Sequence, residues 1–397
     1  MNHKLVFYTR TWLIAIILNA AGYVMASDSI SAMRLKVEHT LAGEIIKRAM
    51  ADIDEKPITL TSYSCERSAG GKNDFYSEGD YWWPDPENTN GPYIRKDGLT
   101  NPDNLVAHRH AMVRLSVITG NLVSAWLLTK DTSYAQAALK HIRAWFITDS
   151  TQMNPHMLYA QAIKGLHTGR GIGIIDGIHL IEVVQSIMIL EKEGLIQASE
   201  LSILKDWFGQ YVNWLITNEY GLEEMNQKNN HGTCWNMQVA QYAKFTGNDS
   251  LLTLCRNNYT ENLLPQQMAD NGSFPLELKR TKPYGYALFN LDAMVMNCYI
   301  LSDPLHNMWE FKTPNGRSIL KAIEFMAPYV AEKSKWPYAP DVMFWDEWPV
   351  AHPAFLLGAM HFNRPEWLLV WEKYDHFPEN SEVLRNLPVR NPLLWLY

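Results

Sequence analysis

Apolar residues recur at helical spacing along most of the chain, from about residue 105 to residue 375. The clearest stretch has apolar residues three and four positions apart, which gives one continuous apolar face: Leu201, Leu204, Trp207, Phe208, Tyr211, Trp214 and Leu215. Residues 179–190 and 250–264 follow the same spacing. Five glycines come after such stretches and are predicted to end helices: Gly120, Gly194, Gly221, Gly247 and Gly272. This pattern predicts a mostly α chain of about ten to twelve helices joined by short connections.

Residues 63–104 have no such periodicity and are rich in Gly, Pro, Asp, Asn and aromatic residues. A long ordered loop of this kind usually carries function. Short strand candidates are confined to the neighbourhoods of residues 57–63 and 340–345. Because no low-complexity linker divides the chain, we expect residues 27–397 to form a single catalytic domain.

Residues 1–26 have the layout of a secretory signal peptide. Lys4 and Arg10 supply positive charge, an apolar stretch follows over residues 12–21, and Ala26 ends a run of small residues before Ser27. The apolar stretch is short for a membrane span, and no other segment is predicted to cross a membrane. We therefore expect an exported, soluble protein, periplasmic or secreted; a retained N-terminal anchor is the alternative.

Composition narrows the classes of partner. The 397 residues include 15 Trp and 19 Tyr, which favours carbohydrate stacking in addition to core packing. The formal net charge is -7, and no Lys/Arg cluster marks a nucleic-acid footprint. An anionic substrate would therefore need a basic groove in an acidic protein. The four cysteines have no metal-ligand spacing, and we favour free thiols over disulfides: Cys65, Cys234, Cys255 and Cys298.

The most informative residues form two short motifs. One is the run from Asn229 to Thr233, which reads Asn-Asn-His-Gly-Thr, and the other is the run from Arg280 to Tyr286. Together they supply an amide, an imidazole, a guanidinium and a phenol. An amide or guanidinium on a carboxylate lets a developing enolate hold negative charge. A His or Tyr can then remove the adjacent proton, and a Tyr can protonate a leaving sugar oxygen. This chemistry is β-elimination of a uronic-acid polysaccharide.

These motifs, with three others, resemble the alginate lyase superfamily. The others are residues 70–98, which include Asp80-Tyr81-Trp82-Trp83-Pro84, residues 159–176, and Trp348-Pro349-Val350. The matches span about residues 65–355 and are closest to polysaccharide lyase family 38, with family 5 more distant. The resemblance implies an all-α fold, an incomplete (α/α) toroid of antiparallel helix pairs with a long ordered N-terminal loop region.

The resemblance also implies site residues. Asn230 and Arg280 would neutralise the substrate carboxylate, whereas His231 and Tyr286 would divide the acid and base roles. A syn elimination would let Tyr286 do both, and an anti elimination would use His231 as the base. Arg280 is expected to lower the Tyr286 pKa from about 10, unless it pairs with Glu277 at the surface. Candidate substrate-binding residues are Trp82, Trp83, Arg109, Gln161, Arg170 and Tyr284, of which Tyr284 also competes with Tyr286 for the catalytic role.

No metal or other cofactor is expected, and the predicted partner is an anionic uronic-acid polysaccharide, either alginate or β-1,4-glucuronan. Two other functions remain open at this level. One is an α/α-toroid glycoside hydrolase that uses Asp176, Glu277 or Asp346 as acid and base. The other is a non-catalytic periplasmic glycan-binding protein that uses the Trp-rich loop. Endo or exo action and the oligomeric state have no signal in the sequence.

Overall fold

The structure, a computed structural model, describes residues 29–397, and helices dominate this part of the chain as the periodicity predicts. The predicted signal peptide lies outside the described residues. The α-helices are α1 (29–52), α2 (Ala107–Thr129), α3 (Thr132–Phe146), α4 (Leu180–Lys192), α5 (Ala198–Thr217), α6 (Glu219–Met225), α7 (Asn230–Thr246), α8 (Asp249–Asn257), α9 (Leu264–Gln267), α10 (Pro275–Leu278), α11 (Pro283–Leu301), α12 (Ile319–Ala331), α13 (Pro353–Phe362), α14 (Pro365–Glu372), α15 (Ser381–Arg385) and α16 (Leu393–Leu396). A π-helix, Asn258–Leu263, joins α8 to α9.

The strands are few and short, and they lie elsewhere than predicted. They are β1 (Tyr76–Glu78), β2 (Trp82–Trp83), β3 (Ile94–Arg95) and β4 (Tyr159–Ala162). The prediction of strands near 57–63 and 340–345 is wrong, since the first region forms a 3-10 turn and the second forms bends and turns. β1 pairs in parallel with β4, and β2 pairs antiparallel with β3. The first pairing ties the long N-terminal loop region to the segment that carries Gln161.

The two helices that begin at the Asn229–Thr233 and Arg280–Tyr286 motifs, α7 and α11, are the most enclosed. Of the 19 residues of α11, 18 are buried, so this helix is enclosed on all sides rather than along one stripe. It packs against α7, which also contacts α4, α5, α6 and α8. Asn236 of α7 and Asn297 of α11 join them through a hydrogen bond of 2.7 Å between buried amides. Such a satisfied buried amide pair fixes the register of the two helices.

Some glycines end helices, as predicted, whereas others lie inside helices where neighbouring segments pack closely, which was not predicted. Gly247 ends α7 in the left-handed conformation, with φ of 72°. Gly120 and Gly221, however, lie inside α2 and α6, so the prediction that they end helices is wrong. A Cβ on Gly120 would lie 2.1 Å from the Asn391 side chain, and a Cβ on Gly221 would lie 2.1 Å from a backbone oxygen. Both residues are glycine because other parts of the chain pack so closely that a side chain would not fit.

By length and composition alone, the 23-residue α2 could cross a membrane. The sequence predicted no such segment after the N-terminal apolar stretch. Fifteen residues of α2 are buried inside the protein, where the helix packs against α3 and α4. Burial of this kind is what a core helix of a folded domain shows.

The four cysteines, all within the described part of the chain, are free thiols, which confirms that prediction. Cys234, Cys255 and Cys298 are fully buried, and burial raises the pKa of each thiol. Cys65 is partly exposed and lies 3.4 Å from the Nε2 atom of His108. The buried thiols therefore act as small apolar groups in the core.

Candidate active site

A cavity of about 250 Å³ lies where the N-terminal ends of α7 and α11 come together. The loop from Gly79 to Trp82 forms one wall, and residues 170–176 form another. Seven of the ten site residues predicted from sequence line it: Trp82, Gln161, Arg170, Asn230, His231, Arg280 and Tyr286. Residues that are 200 positions apart in the chain are thus brought to one concave site.

The first turn of α7 is held in place from three sides. The side chain of Asn229 accepts a hydrogen bond from the His231 backbone N–H, so Asn229 is the N-cap of α7. Asn230 donates its backbone N–H and its side-chain Nδ2 to the two carboxylate oxygens of Glu277, at 2.7 and 2.8 Å. A Cβ on Gly232 would lie 2.1 Å from the Gln227 carbonyl oxygen, so only glycine fits there. Glu277 therefore orients the Asn230 amide. It does not form the surface ion pair with Arg280 that was the alternative from sequence.

His231 is bound from behind by a buried carboxylate. Its Nδ1 lies 2.8 Å from Oε1 of Glu224, a residue of α6 that is fully enclosed. Burial raises the pKa of Glu224, and His231 opposes that rise. When Glu224 is ionised, Nδ1 must donate its proton to it, which leaves the lone pair on Nε2. This is the tautomer that a general base on the cavity side needs.

Tyr286 lies at the centre of a polar cluster. Its hydroxyl lies 2.5 Å from the hydroxyl of Tyr81 and accepts a hydrogen bond of 3.2 Å from the Arg280 guanidinium. Asp97 accepts from the same Nη2 atom of Arg280 at 3.0 Å and from its Nε atom at 3.3 Å. Burial acts to raise the pKa of Asp97, but the hydrogen bond from Arg280 lowers it to about 2.

The expected lowering of the Tyr286 pKa by Arg280 is wrong as a net effect. The pKa of Tyr286 is raised well above its usual value, chiefly because the phenol is buried and also because Tyr81 lies against it. Arg280 and Arg385 do lower it, but burial outweighs them. The phenol is thus a protonated group at neutral pH when the cavity contains no substrate.

The third group of site residues is centred on Asp176. Gln161 donates its side-chain Nε2 to Asp176 at 3.1 Å, and its carbonyl oxygen accepts from Nε of Arg170 at 2.8 Å. The backbone of Gln161 is left-handed, with φ of 48°, which costs free energy in a residue that has a Cβ. Burial lowers the pKa of Arg170 to about 10, and Asp176 opposes that change. Arg170 remains a cation beside the Trp82 ring, whose centroid lies 5.8 Å away.

Arg109 was predicted to bind a substrate carboxylate, but it lies behind the cavity wall and is 4% exposed. It binds Asp80 through two hydrogen bonds of 2.6 and 2.9 Å and lies 3.5 Å from Asp176. Asp80 also binds Arg385 of α15. Burial acts to raise the pKa of Asp80, but Arg109 and Arg385 together hold it below its usual range. The geometry therefore makes Arg109 a support for Asp80 and Asp176 and not a direct contact to substrate.

The other two predicted residues also lie outside the cavity. Trp83 donates its indole N–H to the Leu99 carbonyl oxygen and does not line the cavity, unlike its neighbour Trp82. Tyr284 is fully buried, and its hydroxyl donates to the Tyr329 carbonyl oxygen at 3.1 Å. Because that hydroxyl is already used in the core, Tyr284 does not compete with Tyr286 for the catalytic position.

Four residues of the site were not singled out from sequence: Tyr81, Asp97, Glu224 and Arg385. Tyr81 and Asp97 lie within the motif at residues 70–98, where the adjacent tryptophans were more conspicuous. Glu224 comes seven residues before His231, two helical turns away, but α6 ends between them. Arg385 lies on a five-residue helix near the C-terminus, where no local pattern indicates a site. Only the position of Tyr81 beside the tryptophans offered a signal.

The cavity carries an excess of positive charge, as predicted for a basic groove in an acidic protein. Four arginines line it, against two aspartates. Asp346, a candidate hydrolase acid, lines a different groove. Within residues 29–397, no three His, Cys, Asp or Glu side chains are placed to hold a metal ion together. The chemistry available in the cavity is that of Arg, His, Tyr and amide side chains, which suits an anionic substrate.

Comparisons with known proteins agree with this site. A family model described as Alginate lyase matches residues 59–336. The crystal structure of an alginate lyase from Bacteroides ovatus superposes with a TM-score of 0.79 at 30% sequence identity, over 93% of this chain and 97% of that chain. Alginate lyase A1-III from Sphingomonas species A1 superposes with a TM-score of 0.53 at 14% identity, over 82% and 88% of the two chains, and shows the same α/α fold. Among proteins of curated function, none matches the chain.

The fold and the site together define an enzyme of the polysaccharide lyase class. The predicted incomplete (α/α) toroid is confirmed by the likeness to the Sphingomonas enzyme. With a family match over most of its length, the chain belongs to the alginate lyase family.

Proposed function

We propose that this protein cleaves 1,4-linked uronic-acid polysaccharides by β-elimination and leaves a 4,5-unsaturated uronic residue at the new end. One observation carries the proposal: the amide of Asn230, the imidazole of His231, the guanidinium of Arg280 and the phenol of Tyr286 converge on one basic cavity. These are the groups that the reaction needs, and they come from two separate helix starts.

The first requirement is stabilisation of the charge that develops on the substrate carboxylate. Asn230 uses one amide N–H for Glu277, which leaves the other N–H for the substrate. Arg280 supplies positive charge on the opposite side, next to Tyr286. Both groups are held by carboxylates, Glu277 and Asp97, before substrate arrives. Donors that are already oriented add most to the rate, because no reorganisation occurs during the reaction.

The second requirement is proton transfer. A base removes the proton on C5, the electron pair forms the C4–C5 double bond, the C4–O bond breaks, and an acid protonates the leaving oxygen. In an anti elimination, Nε2 of His231 takes the C5 proton and Tyr286 donates its own. In a syn elimination, Tyr286 must first lose its own proton to solvent, and the phenolate then takes the C5 proton and passes that same proton to the leaving oxygen. The raised pKa of Tyr286 favours its role as the acid in the resting enzyme.

Alginate is the first substrate class we propose, since the chain is 30% identical to an alginate lyase over nearly its whole length. β-1,4-Glucuronan is the second, because the motif at residues 70–98 resembles the branch of the superfamily close to polysaccharide lyase family 38. We further propose that residues 27–397 act as one catalytic domain after a signal peptide is removed, in the periplasm or outside the cell.

A hydrolase with paired carboxylates receives little support from the geometry. Asp176 is bound by Ser77 and Gln161, and Glu277 is bound by Asn230. The decisive test is to incubate the purified enzyme with polymannuronate, polyguluronate, glucuronan and a glycosaminoglycan. Elimination creates a conjugated alkene that absorbs in the near ultraviolet, whereas hydrolysis yields reducing ends without this absorbance. Reducing ends alone would overturn the proposal, and binding without turnover would indicate a glycan-binding protein.

A further inference from the structure

A second groove, which we call the amide groove, adjoins the active-site cavity. It has a volume of about 270 Å³ and is lined by six amide side chains, among them Asn226, Gln227 and Asn262. The one charged residue in its lining is Lys228. In a protein with a formal net charge of -7, a groove with a single cation and no acid in its lining is unusual in composition.

The amide groove and the active-site cavity share a wall. Gln227 lines both of them, and Lys228 follows it directly in the chain. The floor of the groove is tied to the start of α7, since Gln267 donates its Nε2 to the Asn229 carbonyl oxygen at 2.9 Å. A polymer that leaves the cavity past Gln227 therefore enters the amide groove next.

The amides of the groove are held in a row along the π-helix and α9. Asn262 donates to Oδ1 of Asn258 at 3.0 Å, and Gln266 donates to Oδ1 of Asn262 at 3.1 Å. Asn258 is anchored in turn to the buried Asn236, at 3.1 Å. Each of these amides has two N–H groups and two acceptor lone pairs, so these bonds leave at least half of that capacity free. Asn262 and Gln266 are exposed, and the free capacity faces solvent.

The six amides and the single lysine of the groove suit a saccharide that carries a carboxylate. A sugar presents hydroxyl groups that both donate and accept hydrogen bonds, which is also what an amide does. A uronic-acid residue adds one carboxylate, which a single lysine can pair with as a point charge. We propose that the amide groove is a further saccharide subsite, and that it holds a uronate residue of the same polymer whose scissile bond lies in the cavity. This inference rests on the proposed function and extends it to substrate length.

The test is a chain-length series of uronate oligosaccharides, from trisaccharide to octasaccharide, drawn from whichever uronan the native enzyme cleaves best. The variants are Asn262→Ala and Lys228→Ala, and the readout is the ratio of kcat/KM for octasaccharide to that for trisaccharide. Loss of one contact to a charged or polar group should lower this ratio about fivefold or more. Lys228→Glu should lower it further than Lys228→Ala, because the new charge repels the uronate carboxylate.

Matched controls come from exposed residues outside the groove lining, Asn257→Ala beside the π-helix and Lys312→Ala. They should keep the native ratio, and thermal melting should be the same for all variants because the changed side chains lie at the surface. Native ratios in the Asn262 and Lys228 variants would overturn the subsite while the elimination stands. A native enzyme that forms no alkene from any uronan would instead overturn the proposed function.

Discussion

The hydroxyl oxygens of Tyr81 and Tyr286 lie 2.5 Å apart, although the residues are 205 positions apart in the chain. Arg280 reaches the Tyr286 hydroxyl from one side, and Arg385 reaches the Tyr81 hydroxyl at 3.4 Å from the other. The two phenols thus share a hydrogen bond between two guanidinium groups. A proton on this pair can move between the oxygens without leaving the cavity, and either arginine can stabilise the negative charge that remains.

Replacement of Tyr286 by Phe should greatly slow turnover while oligosaccharide binding survives. The change removes the hydroxyl that is proposed to protonate the leaving oxygen and leaves the ring in place. General acid–base groups contribute about 10²–10⁴-fold to the rate, so kcat should fall by about that factor in an alkene-absorbance assay.

Tyr284→Phe is the matched control for Tyr286→Phe. Its hydroxyl bonds to a buried carbonyl oxygen, so its loss should cost stability of about 1 kcal/mol and little activity. If Tyr284→Phe were inactive and Tyr286→Phe active, the catalytic assignment would be reversed. Full activity in both would end the case for a Tyr-dependent elimination.

Replacement of Tyr81 by Phe should shift the basic side of the pH–rate profile toward lower pH. Tyr81 contributes to the raised pKa of Tyr286, so removal of its hydroxyl lowers that pKa. If Tyr286 acts as an acid, kcat/KM is then lost at a lower pH than in the native enzyme. If it acts as a base, kcat/KM rises at a lower pH. The direction of the slope therefore assigns the role, and a shift to higher pH in either case would contradict the predicted coupling.

Arg280→Lys should fail to restore activity even though it conserves the charge. The Arg280 fork contacts both Asp97 and the Tyr286 hydroxyl, and an ammonium on a flexible stem cannot hold both in one plane. We expect kcat/KM to fall by at least about tenfold, which corresponds to about 1.4 kcal/mol of transition-state stabilisation. Arg364→Lys, which changes a surface ion pair with Glu366, is the control and should behave as the native enzyme does. A native value of kcat/KM in Arg280→Lys would show that Arg280 acts only through its charge and not through the geometry of its guanidinium.

His231→Ala should lower kcat by about 10²–10⁴-fold, the range typical of a lost general base. The residue begins a helix without filling the core, so the melting temperature should change little. His306→Ala, at an exposed His–Asp pair, is the matched control and should keep full activity. Native turnover of His231→Ala on one uronan but not on another would show that the two substrates are eliminated with different stereochemistry.

Glu224→Gln should lower kcat with little change in KM or in the melting temperature. The amide can still accept from Nδ1 of His231, but it has no negative charge to stabilise an imidazolium as the proton is taken up. The other carboxylate oxygen of Glu224 is buried without a hydrogen-bond partner among the described residues, so neutralisation should not weaken the fold. A parallel fall in kcat and melting temperature would show instead that Glu224 has a structural role alone.

The sequence was sufficient for the long periodic helices and for four residues that line the cavity, but it predicted about ten to twelve helices where residues 29–397 form sixteen α-helices. The periodicity of residues 201–215 predicted α5, and the motifs predicted that Asn230, His231, Arg280 and Tyr286 would act together. They line one cavity because each motif lies at a helix start, where backbone and side-chain groups are not yet used by the helix. Local sequence carries that information, since capping residues and glycines mark the boundary.

What the sequence did not predict depends on contacts between distant segments. Arg109 begins an apolar helix, like many surface arginines, and only the fold shows that Asp80 and Asp176 meet it behind the cavity wall. The pKa of Tyr286 was expected to fall because Arg280 is six residues away, but its direction is set by burial, which no local pattern reports. Arg385 was missed because its partner, Asp80, is 305 positions earlier.

The bond between Arg385 and Asp80 also means that the cavity is complete only after residue 385 has been translated. During synthesis, residues 79–82 and the start of α7 exist long before α15 has been translated. A nascent chain shorter than 385 residues lacks one of the four arginines and leaves Asp80 with one partner fewer. The enzyme should therefore acquire its full affinity for an anionic polymer only once α15 is in place, and a truncation before α15, which also removes the buried Leu394 and Trp395, should lose both binding and stability.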